Sequence, residues 1–152
     1  MKKPNLILSL TLIIFSMNSF GQKKNTKKIT YNTFYNSLEI NHYNIEDAIL
    51  SVRKIGNGPA LVFIHGYMVN GYTWRHLIPE LSKTHTCYIV ESVGFGDTKW
   101  SRKTNFSFTA HANRYTQLFE ELKISKYSLI AHDTGGSIAR MIAISEKEKV
   151  EN

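Results

Sequence analysis

The run Tyr127–Arg140, Y-S-L-I-A-H-D-T-G-G-S-I-A-R, leaves the chain around it few choices. Tyr127–Ala131 is a short apolar stretch suited to a strand, and Ser137–Ser145 is a helix-forming stretch that follows almost at once. The two must meet in a sharp turn. That turn reads small-x-Asp-x-small from Ala131 to Gly135. Small residues two positions to either side of the apex are what a nucleophile elbow needs, because bulk there would clash in the strained turn. The apex usually carries Ser. Here it carries Asp133, so the chemistry it predicts is attack by a carboxylate.

The flanking sequence predicts the layers into which such a turn would fit. Ala60–Ile64 and Cys87–Val90 are continuous apolar runs, the pattern of parallel strands buried on both faces. Two further strand candidates lie near Leu38–Asn41 and Ala48–Lys54, and Gly56-Asn57-Gly58-Pro59 is a turn signal. Trp74, Leu77, Ile78 and Leu81 fall on one helical face, but Pro79 should kink that helix or divide it into two short pieces. Phe108, Ala112, Tyr115, Phe119 and Leu122 mark the face of another helix, capped by Ser107 or Thr109. Strands alternating with helices predict an α/β domain with a mainly parallel sheet.

At 152 residues the chain has room for one modest domain. Its formal charge of +7 does not indicate nucleic-acid binding: Lys2 and Lys3 sit at the extreme start, and Lys23, Lys24, Lys27 and Lys28 form one short run without the interleaved aromatics of a recognition module. The single cysteine, Cys87, lies in an apolar run and reads as a small buried hydrophobe. No Cys/His cluster has metal-site spacing, and no cofactor is expected. Met1–Gly21 has the basic start, short apolar core and small-residue end of a secretory signal peptide, so the protein is expected to be exported with no stable membrane anchor after cleavage. The expected organisation is a signal segment 1–21, a basic linker arm 22–36 and a domain over 37–152.

Four local motifs, in order, then resemble the α/β-hydrolase superfamily, in its epoxide hydrolase and haloalkane dehalogenase branch. They are His65-Gly66 after a strand, Trp74-Arg75 with Ile78-Pro79-x-Leu81, Gly94-Phe95-Gly96-Asp97 after the next strand, and Ala131-His132-Asp133-Thr134-Gly135-Gly136. The resemblance implies that Asp133 is the nucleophile and that the backbone N–H groups of Tyr67 and Thr134 form an oxyanion hole. It implies structural roles for His65, Gly94 and Gly96, and a structural or pocket-lining role for His132. The implied reaction opens an epoxide or displaces a halide on a small apolar substrate, leaving an ester on Asp133 that activated water hydrolyses.

The match is uneven. Dehalogenases of this branch commonly carry Trp after the nucleophile and Asn after His-Gly, where this chain has Thr134 and Tyr67. The fold's chain order is nucleophile, acid, histidine. None of the 19 residues after Asp133 is histidine, and the acids among them, Glu146, Glu148 and Glu151, follow the helix closely. The expectation is therefore the N-terminal portion of such a domain. The alternative to an active hydrolase is an inactive fragment lacking the acid and histidine. The sequence leaves the oligomeric state open.

Overall fold

The computed structural model describes residues 30–151. The expected signal segment and most of the 22–36 arm lie outside the described residues. The element order is α1 (Tyr31–Asn36), β1 (Ile40–Ile45), β2 (Ala48–Ile55), β3 (Ala60–Ile64), a 3₁₀ turn (Gly71–Trp74), α2 (Ile78–Leu81), β4 (Thr86–Glu91), α3 (Phe108–Glu121), β5 (Tyr127–Ala131) and α4 (Thr134–Ser145). The five strands form one sheet in the order β1-β2-β4-β3-β5. β4, β3 and β5 run parallel, while β2 joins β4 antiparallel and β1 joins β2 antiparallel. The sheet is thus mixed, with its parallel part carrying the buried runs.

The continuous apolar runs are explained by a core on each face. In β3, Val62 and Ile64 face α3 and α4, while Leu61 and Phe63 face the 3₁₀ turn and α2. β4 repeats the alternation: Tyr88 and Val90 point one way, Cys87 and Ile89 the other. Cys87 is fully buried, and burial pushes its thiol up to about 11, as befits a packing residue. Pro79 divides the Trp74–Leu81 pattern as expected, sitting in the first turn of a short α2 where its missing N–H has no partner to lose. Trp74 lies in the core against Phe63.

Three features differ from the sequence expectations. The last residues of the expected linker arm form α1, which buries Tyr35 in the second core, so the packed domain begins before residue 37. The physical reason is an aromatic side chain that sequence alone assigns to no face. Phe108, expected on the buried face of α3, is 47% exposed, whereas Leu118 is fully buried. The buried face also includes His111 and Arg114, because Arg114 donates from Nε and Nη2 to Asp47 Oδ1 at 2.9 and 2.6 Å and ties the β1–β2 turn to α3. Ser107, of the two cap candidates, is the N-cap, its hydroxyl accepting the Ala110 N–H.

β5 lies at the edge of the described sheet. Past α4, Val150 forms a parallel bridge to Tyr127, with Tyr127 N–H donating to the Lys149 carbonyl and Glu151 N–H to the Tyr127 carbonyl. Among the described residues no helix is long and apolar enough to cross a membrane.

Candidate functional site

β5 ends at Ala131, and α4 begins at Thr134, so the chain reverses direction over His132 and Asp133. The strain falls on Asp133: its φ is +53° and its ψ −133°, a region that L-residues seldom occupy. The small residue at position 135 has a direct steric cause. A β-carbon on Gly135 would stand 2.5 Å from the Ile64 carbonyl oxygen and 2.6 Å from that of His65, inside contact distance. α4 can start this close to β3 because that carbon is missing.

The turn brings Asp133 beside the loop that follows β3. Tyr67 N–H donates to Asp133 Oδ2 at 2.9 Å. This backbone donor, and after it the Thr134 N–H, hold the Asp133 carboxyl below the usual carboxylate range, with His132 adding in the same sense against a small desolvation penalty. The three residues singled out from the sequence, Asp133, Tyr67 and Thr134, are therefore brought together. The Tyr67 N–H holds the carboxylate on its Oδ2 side, and Asp133 is exposed to approach from outside.

The two histidines flanking this arrangement are packed rather than free. His65 is buried, its Nδ1–H donating to the Gly66 carbonyl at 2.8 Å while its Nε2 accepts the Ser92 N–H at 3.0 Å. Burial, the largest influence, lowers its pKa and keeps the ring neutral. His132 packs edge-on against Trp74, 5.1 Å between ring centres, and does not line the cavity described next.

A cavity of about 410 Å³ opens beside the Asp133 turn, with Tyr67 and Thr134 at its wall. Its other walls are largely apolar, supplied by Val93, Phe95, Trp100, Phe106, Phe108 and Ile138. The size falls within the usual range for small-molecule sites, roughly 300–1,000 Å³. Phe108 is explained here: it leaves the core to serve the cavity. His111 is the residue sequence reasoning missed. It is buried on α3, lines the cavity, and makes no side-chain hydrogen bond among the described residues. Burial and the nearby Arg114 lower its pKa to about 4, so it is a neutral polar group in an aromatic wall. Helical spacing would have placed it near Phe108 and Ala112, but nothing in the sequence separates it from the other histidines. Among the described residues no group of three or more His, Cys, Asp or Glu is placed to hold a metal ion.

Residues 59–152 match the family model of the alpha/beta hydrolase fold. A soluble epoxide hydrolase of Corynebacterium sp. is 32% identical over 117 residues, covering 76% of this chain and 41% of that protein. A pimeloyl-[acyl-carrier protein] methyl ester esterase of Aeromonas hydrophila is 28% identical over 101 residues, covering 66% and 38%. A fluoroacetate dehalogenase of Burkholderia sp. is 26% identical over 111 residues, covering 70% and 36%. In structure, an epoxide hydrolase from Vigna radiata superposes with a TM-score of 0.71 at 24% identity over 76% of this chain and 38% of its own. The chain spans about two fifths of the length of the relatives it matches.

Proposed function

The chain belongs to the α/β-hydrolase fold family, and from that premise we propose that it is a hydrolase in which Asp133 attacks a small apolar substrate of the epoxide or haloalkane type. The observation that carries this reading is Asp133 at a strained strand-to-helix turn with the Tyr67 N–H on one of its oxygens and a cavity alongside. The other oxygen, Oδ1, attacks a substrate carbon and an ester forms on Asp133, while the bond from that carbon to the leaving atom breaks: a halide departs as the anion, and an epoxide oxygen becomes an alkoxide that takes a proton from water. Water then adds to the ester carbonyl carbon. That carbonyl oxygen is the one that accepts the Tyr67 N–H, which stabilises the charge it gains in the tetrahedral intermediate, with the Thr134 N–H as the proposed second donor. The second step needs a base to take the proton of the water. The aromatic walls suit an apolar substrate, and His111 offers it one hydrogen-bonding partner.

The test is turnover of a panel of small aryl and alkyl epoxides and haloalkanes. Asp133→Ala should abolish turnover, and Asp133→Asn should lower it by at least about a thousandfold, since an amide is a poor nucleophile. Undiminished turnover in Asp133→Ala would remove Asp133 from the chemistry.

A further inference from the structure

The Tyr67 N–H is useful only if its loop holds still, and the loop's own side chains do little to hold it. Tyr67, Met68 and Val69 are 65%, 80% and 37% exposed, and Met68 has φ +57°, so the loop is strained as well as outward-facing. Tyr67 meets Phe95 edge-on, 5.8 Å between ring centres. The firmer attachments are at the two ends. At the first, the His65 Nδ1–H holds the Gly66 carbonyl. At the second, the Gly71 N–H donates to Glu91 Oε2 at 3.0 Å.

Glu91, at the end of β4, is 2% exposed. A carboxylate buried to this degree is costly unless it is well partnered. Its other oxygen, Oε1, accepts the Tyr35 O–H at 3.3 Å and lies 3.5 Å from Arg53 Nη1. Arg53 in turn lies over the Tyr35 ring, 4.8 Å from its centre, and donates from Nη2 to Asp97 at 3.2 Å. The His65 Nε2 is 3.4 Å from Oε2. A β-carbon on Gly71 would fall 2.6 Å from the Tyr35 hydroxyl and 2.9 Å from Glu91 Oε1, so the backbone is seated directly on this cluster. Tyr35 and Arg53 both come from outside residues 59–152, the stretch shared with the family model.

We infer that Glu91 is a positioning residue: by anchoring Gly71 at the far end of the loop, with Tyr35 and Arg53 fixing its own carboxylate, it holds the Tyr67 N–H against Asp133. The catalytic meaning rests on the reading of Asp133 given above, but the anchoring does not, and it can be read without turnover. α1 thereby acquires a role, since this short helix buttresses the site from below through one hydroxyl.

The test is NMR on the whole chain, following the Asp133 carboxyl titration and the exchange of the Tyr67 and Gly71 amide protons. In Glu91→Gln the amide oxygen is drawn to the two donors at the Oε1 position, and the NH₂ then faces the Gly71 N–H, so the anchor is lost while the shape is kept. The expected result is an Asp133 pKa raised by about one unit, what one hydrogen bond to a carboxylate is worth, with Tyr67 exchange at least about tenfold faster than the change in global stability explains. Tyr35→Phe should shift both in the same direction by less, and it decides the matter if Glu91→Gln does not fold. Leu118→Ala, a core change on α3 in the cluster on the opposite face of the sheet, should lower stability and leave the Asp133 titration in place. An unchanged Asp133 titration and unchanged Tyr67 protection in the folded variant would overturn the inference, and so would an equal shift in Leu118→Ala.

Discussion

At position 135 the chain has no room for a side chain, and at position 136 it has ample room. The Gly135 β-carbon would strike two carbonyl oxygens of the β3 end, whereas nothing lies within 4 Å of one on Gly136. Gly135→Ala should therefore destabilise by about 1–3 kcal/mol, the usual cost of overpacking, and Gly136→Ala should be neutral or slightly stabilising, since helix propensity favours Ala; paired thermal melts check both. The residue scale also sets a pH dependence. His111 has its pKa lowered to about 4 in the folded state, so between roughly pH 6.5 and 4 the unfolded chain takes up a proton that the folded chain refuses. Stability should fall as pH drops through that window, and His111→Gln should flatten the fall. Some slope should remain, because His65 is lowered in the same sense. For Asp133 the sign is the same but the window lies lower: its depressed value favours the fold above the ordinary carboxylate pKa, a contribution lost as pH falls through the folded value. That Asp133 meets the Tyr67 N–H was legible in the sequence because the order of the motifs carries both residues. The cluster around Glu91 was not, because its members at 35, 53, 71 and 91 meet only through the folding of a helix, two strands and a loop.

Elements were legible where one periodicity ruled. The runs in β3 and β4 could be read because strands buried on both faces need no alternation, whereas β5, expected as a third buried strand, is only half-buried as an edge. The β1–β2 hairpin was harder. β2 lies where it was expected, but β1 runs Ile40–Ile45, displaced toward the turn from Leu38–Asn41, and the two-residue turn, Glu46-Asp47, lacks the Asn-Gly or Asp-Gly signature, with Glu46 taking φ +53° unaided by glycine. The Arg114 ion pair with Asp47 compensates by fastening the turn to α3. At the start of α3, Ser107 accepts the Ala110 N–H at 3.2 Å. Ser107→Ala should cost about 1 kcal/mol, the usual worth of an N-cap, and Ser107→Asp should keep most of it. Denaturant titration of the two variants checks this. Equal losses in both would mean that the cap bond contributes nothing.

At the scale of the whole molecule, the described sheet is bounded by the hairpin strand β1 on one side and by β5 on the other. β5 is half-buried along most of its length, and beyond the Val150 bridge its outer edge has no strand partner among the described residues. An edge of this kind invites pairing with another chain. Ile144 on α4, 59% exposed, adds apolar surface nearby. The 152-residue chain on its own is expected to associate as its concentration rises, seen by sedimentation, and a sharp two-state melt of a monomer would contradict that. The claim on which most depends is that Asp133 becomes covalently bound. Trypsin cuts after Lys126 and Arg140, releasing Tyr127–Arg140 as one peptide that carries Asp133. The decisive measurement is the mass of that peptide after incubating the protein with a small aryl epoxide and quenching in acid. The predicted result is a gain equal to the mass of the epoxide, localised by fragmentation to Asp133 and absent from Asp133→Ala. A peptide of unchanged mass, or an adduct placed on His132 that survives in Asp133→Ala, would contradict the account.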